Sequence, residues 1–571
     1  MDDLVNFLKE AKRTARQYFL KFRDVWDEVS EQVRCVHPNE WNKKEDWQTK
    51  VFIPMQSKTI EIAKAHLKRT LLGAKRFFNI ELKGVEEDRD RDNALEDLIE
   101  IILEQNDFYK ENDFVFEESS IIGTSAMKVL MLYDQIEGYK YNYRFQFIHR
   151  TPYQFLIDPA CGKDYLKARY FIDRYKKSID VLIREAKSKK YDLPAIGQLL
   201  EELRNLSSSA SERDLEIVKS IDGTENIKIA KQYKFVDLDE FWGYLPNENR
   251  PRVITMLNDK YIIRNEYTSY FRPPFFLCRV KPRLYDVYGL GFLENTRDIQ
   301  KLANSIINLW FDSVKLSIFK ILKVDITKVA DPNSIEIKPK AVWMLNDINA
   351  VQSFDLGTAG VDGLNAFTLL DQIHQDTTGI TRHIQGTAPP LSKGMLETET
   401  LGEYQLKLQL ADQRFLDIAK FIEKDYLVPL IKFLAINIIR YFPQEEVNRY
   451  LGVKPDKTPR LDIEKIRNIP DEYVIVSCIG LTQFTQKVER QEKLRTLLQL
   501  ILNNPPLTAM SKLYNIYRRV LQEYEFEDID ELIKSPDEIK ELLASMATGG
   551  QTTEVPLPTE GQGEEEMLTG G

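Results

Sequence analysis

The stretch YDVYGLGFLENTRDIQKLANSIINLW, residues 285–310, decides how the middle of this chain folds, because a Gly-Leu-Gly turn opens directly into a long amphipathic run. Apolar residues recur there at spacings of three and four, which is the pattern of one helix face. They are Ile299, Leu302, Ile306, Trp310, Val314 and Ile318. Most of the polar residues, namely Lys301, Ser305, Asn308, Asp312 and Lys315, fall on the other side. We therefore predict a helix over 291–320 that packs against its neighbours on one side only.

The Gly-Leu-Gly turn also raises a nucleotide-binding interpretation. A dinucleotide fingerprint needs a third glycine after a buried strand, because three close backbone approaches must be accommodated. Counted from Gly289 through Gly291, the third position is Glu294, and the preceding KPRLYDVY is no buried strand. The chain also lacks a phosphate-binding Gly-x-x-x-x-Gly-Lys-Ser/Thr segment and any recognisable nucleophile elbow. We expect neither an enzyme nor a cofactor.

Composition narrows the function classes. With 571 residues the chain is too long for one compact core, so two to four sub-domains are expected. A net charge of −10 argues against tight nucleic-acid binding by the free chain. The most apolar late segment, 427–442, contains Pro429, Lys432 and Arg440 and is too short to span a bilayer. Four cysteines spaced more than 100 residues apart predict neither a disulfide framework nor a metal cluster and suit synthesis in a reducing compartment.

One pair of residues has the spacing of a helical metal site. Asp371 and His374 stand at i and i+3, with Asp376 and His383 nearby. No third ligand has a compatible spacing, so we expect no metal.

Periodicity divides the chain into helical and extended parts. Helices are predicted over 1–35, 56–78 and about 88–106, and strands over 144–159 and 472–480. LND between two β-rich runs, 252–257 and 260–266, predicts a hairpin turn. The fold class is therefore α+β, mainly α.

A Gly- and Pro-rich loop, QGTAPPLSKGMLETET (385–400), precedes a third long helix. Thr398 or Thr400 would cap this helix, and Pro429 should kink it.

The order of these segments resembles the portal proteins of tailed bacteriophages. Two segments carry the resemblance: RPPFFLCRVKPRLYDVYGLGFLENTRDIQKLANSIINLWFDSV (272–314) and TTGITRHIQGTAPPLSKGMLETETLGEYQLKLQLADQRF (377–415). A weaker match is WQTKVFIPMQSKTIE (47–61).

The resemblance implies a portal fold with a wing, a two-helix stem, a small α/β clip, a kinked tunnel helix and a helical crown. The implied parts are the wing 1–288 with a flexible insertion 204–226, stem helix 1 at 289–320, the clip 321–360, stem helix 2 at 361–384, the tunnel loop 385–397, the tunnel helix 398–441, a return to the wing 442–483, the crown 484–545 and a disordered acidic tail 546–571.

The resemblance also implies a function. Portal proteins form a dodecameric ring at one capsid vertex, through which double-stranded DNA is packaged and ejected without tight binding. The implied partners are the terminase large subunit, a tail adaptor, the major capsid protein and scaffold, with no membrane. The implied location is the virion, after synthesis in the host bacterial cytoplasm.

The same resemblance suggests roles for single residues. Gln385, Ser392 and Lys393 of the tunnel loop would touch DNA in the channel, Gly289 and Gly291 would turn the chain from wing to stem, and Pro429 would kink the tunnel helix.

Two alternatives stay open from the sequence. One is a nucleotide-dependent enzyme that uses the Gly289-Leu290-Gly291 turn. The other is a virion collar or adaptor protein without a DNA channel.

Overall fold

The structure is a computed structural model that describes residues 2–478, except 75, 84–87, 137–138, 188–190, 193, 195, 198–216, 220–225, 229–234, 319–320, 331–343, 355–361, 381–412 and 454–457. The described residues all belong to one compact unit, residues 1–481. The described part mixes helices and sheets, which confirms the predicted α+β class.

Four helices open the chain, in agreement with the predicted periodicity. They are α1 (Asp2–Val33), α2 (Met55–Leu72), α3 (Arg89–Gln105) and α4 (Phe108–Ile122). The second ends six residues earlier than predicted, and Phe78–Leu82 forms strand β1 instead. The carboxylate of Asp88 caps α3 by accepting from the amides of Asp90 and Arg91.

Two antiparallel sheets follow. The first has the order β11-β2-β3, with β2 (Thr124–Ile136), β3 (Tyr139–Arg150) and β11 (Phe275–Arg279). The second has the order β10-β9-β8-β5-β4, and its strands are β4 (Phe155–Ile157), β5 (Tyr170–Ser178), β8 (Phe235–Gly243), β9 (Arg252–Leu257) and β10 (Tyr261–Tyr267). Helix α5 (Ile179–Lys187) follows β5. Around the predicted insertion, the structure describes one short strand pair, β6 (Ile217–Lys219) and β7 (Asn226–Lys228).

The predicted LND hairpin is present. Asn258 and Asp259 have left-handed φ angles of 47° and 58°, and the amide of Lys260 closes the turn by donating to the carbonyl of Leu257 at 2.9 Å. Strands β9 and β10 pair across it, from Leu257↔Tyr261 onward.

An aromatic cluster ties α1 to the sheets. The rings of Phe22 and Trp26 stack at 5.7 Å, and Tyr288 meets Trp26 edge-on at 5.1 Å. Trp26 and Tyr288 are both fully buried. The long first helix is therefore held against the residue that precedes the Gly-Leu-Gly turn.

A buried charge cluster joins the two sheets. Lys128 of β2 binds Asp173 of β5 at 2.7 Å and also Glu240 of β8. Arg150 lies 2.9 Å from Asp173, and the indole of Trp242 donates to Glu240 at 2.8 Å. Burial alone would lower the pKa of Lys128, but the two carboxylates outweigh it and raise that pKa.

The second half is mainly helical. It contains α6 (Arg297–Ile318), the strand pair β12 (Ile321–Val324) and β13 (Val351–Phe354), and α7 (Asp362–Thr378). Helix α8 covers residues 413–422, a π-helical turn at Glu423–Leu427, and Val428–Tyr441. Two short helices, α9 (Gln444–Leu451) and α10 (Ile463–Ile466), precede β14 (Val474–Cys478), which pairs with β1.

All four cysteines are free thiols. Among the described residues, we find no helix that is both long enough and apolar enough to cross a bilayer.

Candidate functional site

The Gly-Leu-Gly turn packs backbone against backbone at the end of α4. A Cβ on Gly289 would lie 2.4 Å from the carbonyl oxygen of Gly123, and one on Gly291 would lie 2.2 Å from that of Ile121. Gly123 itself has φ +87° and ends α4. The two glycines of the turn are therefore required by space rather than by a left-handed backbone.

Three amides at this turn and directly after it are already occupied. Gly289 donates to Thr124 Oγ1 at 2.6 Å, Leu290 to the carbonyl of Lys281 at 2.7 Å, and Phe292 to the carbonyl of Ser120 at 3.0 Å. A phosphate-binding loop needs free amides that point at its ligand. The geometry at this turn is therefore that of a structural junction leading into α6.

Part of the polar side of α6 is buried, and the prediction of a helix packed on one side only is wrong. Asn308 and Asp312 are 1% and 8% exposed, whereas Leu302 of the predicted apolar stripe is 50% exposed. The reason is a second neighbour that the periodicity did not indicate. We call that neighbour, residues 47–53, the strap, and its part from Thr49 to Ile53 runs along α6.

Side chains of α6 hold the strap by its backbone. Four polar residues at every fourth position, which we call the polar ladder, do this: Gln300, Asn304, Asn308 and Asp312. The amides of Thr49, Val51 and Ile53 donate to Asp312 Oδ1 at 2.6 Å, Asn308 Oδ1 at 2.8 Å and Asn304 Oδ1 at 3.0 Å. In return, Asn308 Nδ2 donates to the Val51 carbonyl at 3.0 Å, and Gln300 Nε2 to the Ile53 carbonyl at 2.7 Å.

The repeat distances of the two elements explain this fit. Two residues of extended chain advance about 6.6 Å, and four residues of α-helix advance about 6 Å. Alternate strap residues therefore stay in register with every fourth helix residue over three successive pairs. Lys315 continues the pattern by donating to the carbonyl of Trp47 at 2.8 Å.

A different face of α6 packs on α7. Ala303 and Leu370 form a small core with Met55, and the start of α7 approaches so closely that a Cβ on Gly363 would lie 2.7 Å from Trp310. The strap and α7 thus occupy two sides of α6. The third side and the outer face of α7 remain exposed, with the apolar residues Leu302, Leu309, Leu364, Leu369 and Ile373 at 41–68% exposure.

The candidate metal pair serves packing instead. His374 is buried, and its Nε2 lies 2.9 Å from the hydroxyl of Thr59 in α2. Asp371 accepts from Gln375 Nε2 at 2.7 Å. Within the described ranges, no group of three or more metal-ligating side chains comes together. Burial lowers the pKa of His374, which favours the neutral ring.

The strand pair after α6 carries an exposed apolar patch around a small ion cluster. Lys328 lies 3.8 Å from Asp325 and 3.5 Å from Asp347. Ile326 and Ile348, each next to one of these aspartates in the chain, are 73% and 91% exposed. Met344 is exposed as well. Exposed apolar patches of this kind are typical of protein–protein contact surfaces.

Hydrogen bonds from two other parts of the chain hold the irregular turn of α8. Pro429 has no N–H to donate to the carbonyl of Asp425, four residues earlier, and the hydroxyl of Tyr165 donates to that carbonyl at 2.6 Å. The Asp425 carboxylate accepts two bonds of 2.8 Å from Arg279 of β11. Burial nevertheless raises the pKa of Asp425, with Arg279 opposing the rise.

A comparison with known protein families shows to which family the chain belongs. The family model described as "Phage SU10 portal protein" matches residues 135–568, more than half of the chain. The chain belongs to this portal protein family. It matches none of the individually curated proteins with which it was compared.

This match confirms the resemblance that the sequence predicted. The general properties of the family therefore follow. Portal proteins are structural components of the phage capsid that form oligomeric rings and associate with terminase and tail proteins. The tunnel-loop residues Gln385, Ser392 and Lys393, the crown 484–545 and the tail 546–571 lie outside the described residues.

Proposed function

We propose that this chain forms the portal ring at one capsid vertex, the channel through which double-stranded DNA enters and leaves the head. The observation that carries the proposal is the exposed apolar surface of the α6–α7 pair in a chain of the portal family. In this reading, α6 and α7 are the two stem helices.

The exposed residues form two helical stripes. Leu302 and Leu309 are seven residues apart on α6, and Leu369 and Ile373 are four apart on α7. A closed ring of identical subunits needs a head-to-tail contact between two different surfaces. We infer that the α6 stripe of one copy packs on the α7 stripe of the next, around a ring of about twelve subunits.

The channel side is assigned to the tunnel loop and to α8. Beyond Gln385, Ser392 and Lys393, one face of α8 exposes Gln413, Asp417, Lys420 and Lys424 at helical spacing. Lys420 lies 3.9 Å from Asp417, so that face mixes both charges. A channel for DNA works best with few unpaired cations on its wall, because each lysine–phosphate contact adds affinity and would slow the sliding of DNA.

The patch of Ile326, Met344 and Ile348 is assigned to docking at the clip. Its exposed isoleucines beside an ion cluster match the apolar core and polar rim of a typical protein–protein interface. The partners proposed for it are the terminase large subunit during packaging and the tail adaptor afterwards.

Assembly tests the ring. We expect Leu309→Glu to abolish rings on mass photometry and negative-stain images, because it places a charge in the stem contact. Leu166→Glu, at another exposed leucine, should assemble like the unsubstituted chain. Equal assembly of both variants would exclude the stem stripe as the contact.

Binding tests the clip. The double change Ile326→Ser and Ile348→Ser should leave rings intact and weaken binding of the same phage's terminase large subunit about tenfold or more, as for loss of two interface anchors. Unchanged terminase binding by these rings would remove the patch from the docking surface. Saturable ATP binding by rings or monomers would instead favour the nucleotide-dependent alternative.

A further inference from the structure

The strap has two backbone edges, and α6 covers only one. The N–H groups of Thr49, Val51 and Ile53 and the carbonyls of Val51 and Ile53 face α6 and its polar ladder. In an extended chain, alternate residues direct their N–H and C=O groups to opposite edges. The groups of Lys50 and Phe52 therefore belong to the other edge.

That outer edge is open in the described part of the chain. No hydrogen bond there involves the backbone N–H or C=O of Lys50 or Phe52. Buried backbone groups are nearly always paired, so these four groups are available to water. The flanking side chains Trp47 and Val51 are 46% and 44% exposed, although both are large and apolar.

An open extended edge beside exposed apolar side chains is a template for another strand. The spacing of its free groups, at alternate residues, is that of a β-ladder. The inner edge is fixed by five side chain-to-backbone bonds from the polar ladder, so the strap is held straight before any partner arrives. A preorganised edge loses less entropy on pairing than a free loop would.

We propose that an extended segment of a neighbouring copy of this chain adds to the outer edge of the strap, pairing with Lys50 and Phe52. This inference rests on the ring proposed above. The strap lies on α6, the helix whose exposed Leu302 and Leu309 are assigned to the contact between copies. The strand addition thus continues the stem contact toward α1 and α2, and it makes the wing of one subunit depend on its neighbour.

Amide hydrogen exchange with single-residue fragmentation tests this directly, on monomers and on rings verified by electron microscopy. The amides of Val51 and Ile53 should be protected in both states. Those of Lys50 and Phe52 should exchange freely in the monomer and slow by about tenfold or more in the ring. Equal exchange at Lys50 and Phe52 in monomer and ring overturns the strand addition alone, whereas absence of any ring overturns the proposed function and this inference together.

A backbone variant gives an independent readout. Lys50→Pro removes one outer-edge donor without touching the inner edge, and Lys50→Ala removes the same side chain while keeping the N–H. Both monomers should show the same urea midpoint, and only Lys50→Pro should shift assembly to about tenfold higher protein concentration, as for loss of a 1.4 kcal/mol contact. Identical assembly of the two variants contradicts the proposal.

Discussion

Tyr165 donates its hydroxyl to the carbonyl oxygen of Asp425 over 2.6 Å, and this is the carbonyl that Pro429 leaves without its α-helical donor. Tyr165 is fully buried, and it reaches α8 from the loop before β5. The irregular turn of α8 is thus completed by a residue 260 positions earlier in the chain. The bidentate Arg279–Asp425 pair adds a second tie from β11 to the same turn.

Removing the Tyr165 hydroxyl should therefore loosen α8. In Tyr165→Phe the partly buried Asp425 carbonyl loses this donor, which costs about 1–3 kcal/mol. We expect a lower urea midpoint and faster amide exchange over residues 421–430.

A matched tyrosine separates this effect from the loss of any hydroxyl. Tyr441 donates to the carbonyl of Ser269 over the same 2.6 Å, but that bond is exposed to water. Tyr441→Phe should change the midpoint little, because water replaces the lost donor. Equal destabilisation by the two variants would argue against a special role for the Asp425 carbonyl.

Weakening the polar ladder should free the strap. Asn308→Ala deletes both bonds to Val51, one donated and one accepted. Trypsin should then cut after Lys50 about tenfold faster, because local opening of the strap becomes easier. Ser305→Ala, on the same helix but bonded only to the carbonyl of Lys301, is the control and should leave cleavage unchanged. A cleavage rate in Asn308→Ala equal to that of the control would show that the ladder does not hold the strap.

The third prediction concerns the buried charge cluster between the two sheets. Lys128→Met removes the cation that Asp173 and Glu240 share and leaves Asp173 with Arg150 alone, and removing one partner of such a buried pair costs about 3–5 kcal/mol. Chemical denaturation should show this loss. Lys176→Met breaks a surface pair with Asp237 at 3.7 Å and should cost at most about 1 kcal/mol. A small loss in both variants would mean that the two carboxylates find other partners.

Glu423 makes the stability depend on pH. Burial raises the pKa of this carboxyl to about 7, with Lys424 and Lys420 opposing the rise. Because the folded state holds the proton more tightly than the unfolded state, stability falls as pH rises from about 4.5 to 7. The group is half-exposed, so solvent screening limits the loss to about 1–2 kcal/mol.

Glu423→Gln should remove that loss. Relative to the unsubstituted chain, the variant should gain stability at pH 8 and little at pH 4.5, measured as urea midpoints. Glu445→Gln, at an exposed position, serves as the control. A constant difference between variant and parent across this range would exclude Glu423 as the source of the pH dependence.

Local patterns predicted much of this fold. Helix α1 and the Asn258–Asp259 hairpin follow from apolar periodicity and turn chemistry, since both signals are local in the sequence. The family resemblance likewise rested on contiguous segments around Gly289 and the loop before α8. The predicted roles of Gln385, Ser392 and Lys393 remain predictions.

The polar ladder shows why the rest was missed. Polar residues at every fourth position predict a solvated face, and the strap that buries them is about 250 residues away in the chain. One signal was present: Gln300, Asn304 and Asn308 carry amides, which both donate and accept, where a solvated face would carry more charges. The contact between Tyr165 and Asp425 has no such signal, because it depends on the sheets being assembled first.

The central claim is that α6 and α7 build a ring with an open channel. Negative-stain electron microscopy of the purified chain, with class averages viewed down the ring axis, measures this most directly. We expect rings of about twelve subunits around a bore wide enough for duplex DNA, and their loss in Leu309→Glu. Two-fold symmetric dimers at every concentration, or rings that Leu309→Glu leaves intact, would contradict it.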